Sequence, residues 1–215
     1  MNDTQKVARL FPLGLSCEER DLLHEMMGAL CLALRDVPWI LYAGSLIGAE
    51  LIGDILPWDD DIDVLAETLP ARLEIGRFAE YRLTYCDGQQ LVKIFDPCRM
   101  LIPGFPYSFP FIDLATMEVS ADEVRHPRTQ GGFDVFPAAD VLPVRRARLG
   151  PNMVNVPASP AAVISSKYGK DWRLSSPPQS WSHRREWHTF LPPERVPVAD
   201  LLAYHRAQGW EPSTR

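Results

Sequence analysis

A mixed sheet flanked by helices, in an α/β or α+β domain, is the fold class the sequence predicts. Two observations carry that expectation. Apolar runs alternate strand, helix, strand, helix and then give way to a meander of strands. Most of the 20 prolines fall after position 97, which predicts an irregular, turn-rich C-terminal part.

Taken in order, the first element is a helix over Cys17–Arg35. Ser16 and Glu19 have capping-box spacing, and Leu22, Leu23, Met26, Met27, Leu30, Cys31 and Leu34 recur at helical intervals. Asp36-Val37-Pro38 ends it. Trp39–Ala43 is a continuous apolar run, read as a buried strand that stops at the Gly44-Ser45 turn, with a short helix over Leu46–Leu51. Asp54–Asp60 is a turn containing Pro57. A strand at Ile62–Leu65 and a helix around Leu69–Phe78 follow. Further strands are expected at Tyr81–Cys86, Leu91–Phe95 and Phe111–Ala115, the first two joined over Asp87-Gly88. Leu149–Val156 reads as a hairpin turning at Gly150-Pro151-Asn152. Ser159-Pro160 starts a helix that stops at Gly169, and Ala199–Ala207 is a last short helix. No repeat or flexible linker divides the chain, so 1–215 is expected to be one domain, with 174–215 a Pro/Trp-rich extension.

Composition excludes several classes. With 22 Lys+Arg against 28 Asp+Glu the net charge is −6, which argues against nucleic acid and anionic membranes as partners. No apolar run is long enough for a membrane span, and no secretory leader is evident, so the expected location is cytoplasmic. Cys17, Cys31, Cys86 and Cys98 form no C-x-x-C pair, as expected of free thiols in a reducing compartment.

The chemistry concentrates between Gly44 and Val64. Asp61 and Asp63 stand two apart on a strand and therefore share a face. Two like charges that close call for a divalent cation, and Mg²⁺ takes a few carboxylates plus phosphate and water oxygens. Asp113, alone among apolar residues of a later strand, offers a third carboxylate. Gly44-Ser45, at a strand-to-helix junction, suits close approach of a phosphate to the backbone and to the positive helix end. An acidic metal pair beside a phosphate-binding turn points to transfer of a phosphate-linked group from a nucleotide donor. A solvated, acid-rich turn is the competing reading.

Gly44-Ser45, Asp61-x-Asp63 and Asp113 resemble the signature of the polymerase-beta-like nucleotidyltransferase fold. The Pro57-Trp58-Asp59-Asp60-Asp61-Ile62-Asp63 run resembles the LicD family in particular, which includes bacterial phosphorylcholine transferases and fukutin-type ribitol-phosphate transferases. Val92-Lys93-Ile94-Phe95 and Lys167-Tyr168-Gly169-Lys170-Asp171-Trp172 extend the likeness over roughly 39–173. The resemblance implies Mg²⁺- (or Mn²⁺-) dependent transfer of phosphocholine or a polyol phosphate from a CDP-linked donor to a hydroxyl of a sugar or glycan. It implies Asp61, Asp63 and Asp113 as catalytic metal ligands, Asp113 also orienting or deprotonating the acceptor hydroxyl, and Asp59 as a further ligand or anchor; strand alternation would turn Asp60 away from Asp59 and Asp61. Gly44 and Ser45 would hold donor phosphate. Lys93 would neutralise it, unless it is a salt-bridged lysine. One departure stands out: family members commonly carry Arg-His where this chain has Leu51-Ile52 after Glu50. The His183-Arg184-Arg185-His188 cluster could replace that cation, a solvated tail being the alternative; Trp181 and Trp187 would stack on a ligand or cap the core.

Two other functions remain open. A nucleotidyltransferase moving NMP from an NTP to a small molecule or protein needs the same three carboxylates. A catalytically degenerate binding module would keep the fold without turnover. Hydrolase signatures such as G-x-S-x-G and H-E-x-x-H are absent from the sequence.

Overall fold

Helix α1 (Asp3–Leu10) and helix α2 (Cys17–Ala33) lead the chain in the computed structural model, which describes residues 3–69, 73, 77–78, 80–85, 91–128 and 132–213. The start of α2 follows from its capping box. The Glu19 amide donates to the Ser16 hydroxyl at 3.3 Å, and the Ser16 amide donates to the Glu19 carboxylate at 2.8 Å. Two amides that a helix start leaves unpaired are thereby satisfied.

The main sheet contains β1 (Trp39–Leu41), β2 (Ile62–Ala66), β3 (Arg77–Phe78), β4 (Tyr81–Tyr85), β5 (Leu91–Phe95) and β6 (Phe111–Thr116), with α3 (Ala43–Ile52) between β1 and β2. Its order is β1-β2-β6-β5-β4-β3. Only β2 and β6 run parallel; the other neighbours are antiparallel, so the sheet is mixed as expected. The expected helix around Leu69–Phe78 is not borne out at its end, where Arg77 and Phe78 pair with Arg82 and Tyr81 as an edge strand. Edge pairing outweighs a weak helical pattern there, and residues 70–72 and 74–76 lie outside the described set, as does the turn at Asp87-Gly88.

A second, three-stranded antiparallel sheet follows, built of β7 (Glu118–Val119), β8 (Glu123–Pro127) and β9 (Phe133–Pro137), then the short α4 (Ala138–Val141). The hairpin of β10 (Arg145–Leu149) and β11 (Asn152–Val156) closes at Leu149 opposite Asn152. Helix α5 (Pro160–Tyr168) has Pro160 in its first turn and stops at Gly169, whose φ of 83° suits glycine. Ser159 caps α5 with its carbonyl, which accepts from Ala162 and Val163, and not with its hydroxyl. A 3-10 turn over Lys170–Arg173 leads to β12 (Ser175–Ser176), β13 (Trp181–Ser182), β14 (Trp187–His188), β15 (Val196–Pro197) and α6 (Val198–Ala207). β12 pairs with β15 and β13 with β14.

Leu23, Met26, Met27 and Leu30 bury the α2 stripe in the main core, with α2 against β6 and β11. A smaller core joins the two ends of the chain: Val7, Leu10 and Phe11 meet Val196, Val198 and Leu201 around Trp58. Trp58 thus anchors the acidic run between the two cores.

Candidate active site

Sheet register assembles the site. Asp63 of β2 lies opposite Asp113 of β6, and Asp113 lies opposite Lys93 of β5, so the three side chains stand in a row on one face. Asp61, two residues before Asp63, joins them. Asp61, Asp63 and Asp113 offer oxygens all within 4.8 Å of one another, a set that could hold a metal ion.

Helix α3 flanks this row. Gly44 and Ser45 lie within its first turn, not in a turn before it, because the strand ends at Leu41 and Ala43 already begins the helix at a φ of 46°. The Ser45 hydroxyl accepts from the Asp63 amide at 2.8 Å, locking the start of β2 against α3. Gly44 is required by close approach: a Cβ there would collide with Asp59 Oδ2.

Asp59, Asp60 and Asp61 are all buried. Gln179 donates to Asp59 at 2.9 Å and to Asp60 at 3.4 Å. Asp60 does not face away from Asp59 and Asp61: it shares Gln179 with Asp59 and His183 with Asp61, its carboxylate meeting the His183 ring at 2.8 Å and accepting from the His183 amide at 3.0 Å. The other ring nitrogen of His183 lies 3.3 Å from Asp61 Oδ2. Asp60, Asp61 and His183 form a second group whose atoms could hold a metal. Buried Asp59 Oδ2 and Asp61 Oδ2 accept no hydrogen bond among the described residues.

Lys93 is only 4% exposed and takes the salt-bridged alternative. Its Nζ sits 2.9 and 3.0 Å from the two Asp113 oxygens, 3.3 Å from Glu186 Oε1 and 3.7 Å above the Phe111 ring centre. The ammonium is spent on carboxylates rather than exposed to a phosphate.

Crowding of like charges in a dry site has the expected electrostatic consequence. Burial, then the charges of Asp60 and Asp63, push Asp59 up to about 7. Burial and Asp113 push Asp63 up to about 6. Burial, reinforced by Asp63 and Asp59, holds Asp61 well above the usual carboxylate range. Burial opposes a charge on His183, but Asp61 and Asp60 outweigh it and raise the imidazole well above its ordinary value. Burial likewise opposes the Lys93 charge, and Asp113 and Glu186 overcome it.

The carboxylates open onto a cavity of about 300 Å³. Gly44, Ile47 and Leu51 of α3, Tyr168, Trp172, the 175–181 segment and Arg195 are among the residues that line it. Trp181 lines it and donates to Glu186 at 3.0 Å, while Trp187 is exposed, so neither tryptophan caps the core. The basic cluster divides, with Arg185 and His188 left exposed. His183 enters the acidic site, and Arg184 holds Glu19 at 2.7 and 2.8 Å.

All four aspartates expected from the sequence therefore gather, with Gly44 and Ser45 beside them. Gln179 and Glu186 carried no recognisable signal, since each lies in a proline-rich stretch without periodicity.

The mixed sheet thus carries, beside helix α3, a group of acids that could hold a metal ion. The family model described as LicD/FKTN/FKRP, nucleotidyltransferase domain, matches residues 36–159. The chain belongs to the LicD/FKTN/FKRP family, which is generally one of transferases. Among solved structures, the lincosamide antibiotic adenylyltransferase LnuA in its lincomycin-bound form is similar at 12% identity over 67% of this chain and 82% of that chain, with a TM-score of 0.39. No curated protein matches the sequence. No helix among the described residues is long and apolar enough to cross a membrane.

Proposed function

We propose that this chain, acting as one unit on a polymerase-beta-like nucleotidyltransferase fold, is a Mg²⁺- (or Mn²⁺-) dependent transferase. It moves phosphocholine or a polyol phosphate from a CDP-linked donor to a hydroxyl of a sugar or glycan. The observation that supports this best is the convergence of Asp61, Asp63 and Asp113, whose oxygens lie within 4.8 Å of one another. Hard carboxylate oxygens of this kind fit Mg²⁺ or Mn²⁺.

Asp61, Asp63 and Asp113 would hold the ion, and Asp59 would join them or anchor the site beside Gly44. Bound there, the cation supplies neutralisation of charge on the transferring phosphate. Lys93 grips both Asp113 oxygens, which fixes that carboxylate in orientation. Ser45 fixes Asp63 through its backbone amide, so the acid row is set before substrate arrives. Gly44 lines the cavity where donor phosphate would meet the α3 N-terminus. In the transfer the phosphorus–oxygen bond to CMP breaks, a new bond to the acceptor oxygen forms, and the acceptor hydroxyl loses its proton.

The family's own description as a nucleotidyltransferase domain supports a second reading, NMP transfer from an NTP. Products separate the two: CMP release from CDP-choline, CDP-ribitol or CDP-glycerol supports the first, and pyrophosphate release from an NTP the second. If neither product forms with Mg²⁺ or Mn²⁺, and CDP binding is indifferent to metal, the chain is an inert binding module and both readings fail.

A further inference from the structure

Helix α3 brings no basic residue to the cavity, and the lining shows where a cation does stand. Its α3 wall is apolar, with Ile47 and Leu51, and the last turn of α3 contains no basic residue. Among the described residues lining the cavity only His183 and Arg195 carry cationic side chains. His183 has both ring nitrogens directed at Asp60 and Asp61. Arg195 has no carboxylate partner among the described residues. Its Nε donates to the Ser175 hydroxyl at 2.9 Å and one terminal nitrogen donates to the Ser175 carbonyl. Those bonds join the start of β15 to β12 and fix the plane of the guanidinium, and its other terminal nitrogen makes no protein hydrogen bond among the described residues. A diphosphate entering beside three or four carboxylates needs positive charge from the protein as well as from an ion, and an oriented guanidinium suits phosphate better than a mobile ammonium.

We propose that Arg195, contributed from beyond the family-matched segment, binds a phosphate of the diphosphate donor in the cavity and supplies the positive charge that α3 does not. The assignment rests on the donor reading given above, so its test separates the two. Binding of CDP, ADP and inorganic pyrophosphate, each with Mg²⁺, and of cytidine, is measured by calorimetry for the natural chain, Arg195→Gln and Arg195→Lys. The expected result is a roughly ten- to hundredfold loss of CDP affinity in Arg195→Gln, the size of one charge-assisted contact. Cytidine affinity stays unchanged, and Arg195→Lys recovers part of the loss. Equal CDP affinity in Arg195→Gln overturns the proposal. Equal weakening of cytidine also overturns it, because Arg195 would then act only by holding β12 to β15. If the natural chain ignores CDP but binds ADP or pyrophosphate in an Arg195-dependent way, the CDP reading fails and the arginine assignment stands. If no diphosphate binds at all, both fail.

Discussion

Asp61, just before β2, and Asp63, within it, are held close beside Asp113, and in a metal-free protein their repulsion is a cost. Asp61→Asn or Asp63→Asn should therefore abolish turnover while leaving the melting temperature equal or slightly raised without metal; normal activity in either variant would refute their assignment. The same crowding predicts an unusual pH dependence. Asp59 near 7 and Asp63 near 6 bind protons in the folded state that the unfolded chain releases near 3.8. Raised folded values mean stability is greatest below about 3.8 for these groups and is lost as pH rises through 6 and 7. His183, also raised, adds loss above its ordinary 6.5. Metal-free protein should melt progressively lower between pH 5 and 8, and Mg²⁺ should restore stability at pH 8 but not at pH 5. A flat metal-free profile would count against the buried-charge account. The aspartates were legible because a period of two needs only local sequence. His183 was visible merely as one of several basic residues, and Gln179 not at all, since its partners Asp59 and Asp60 lie 120 and 119 positions away.

At the level of elements, the capping box of α2 does two jobs. Glu19 closes the helix start and also receives Arg184 from the loop between β13 and β14. Ser16→Ala should cost about 1 kcal/mol in urea unfolding, the usual value of an N-cap hydroxyl; an unchanged midpoint would mean the cap is not limiting. Arg184 and the cap hold Glu19 at about 2, below its ordinary 4.5. Its contribution is thus complete above 4.5 and lost as pH falls toward 2, and Glu19→Gln should remove that part of the acid sensitivity. Helices α2, α5 and α6, strands β2, β4, β5 and β6 and the β10–β11 hairpin could be read from pattern because each has enough residues to show one. Helix α1, the second sheet and the two-residue strands could not. The two-residue strands are too short for periodicity, and in β9 the apolar Phe133 and Val135 face out while Asp134 is buried, so pattern misleads.

For the whole molecule, the site is a joint product of both halves of the chain. The family match ends at residue 159, yet Gln179, His183, Glu186 and Arg195 all reach the acids or their cavity from beyond it. A chain ended after Leu174 would leave Asp60, Asp61 and Lys93 without those partners and Trp58 without half of its core. Such a chain should be mostly insoluble or molten by near-ultraviolet circular dichroism. Full retention of a cooperative melt would show that the extension is dispensable to the fold.

The distance in sequence between Asp60 and His183, 123 positions, also sets a schedule for synthesis. At about 5–20 residues per second, a nascent chain waits roughly 6–25 seconds between making its aspartate run and making the histidine that neutralises it. Throughout that interval the emerging polypeptide has every reason to keep those acids in water, or to borrow a cellular cation, and to delay closing the sheet over them.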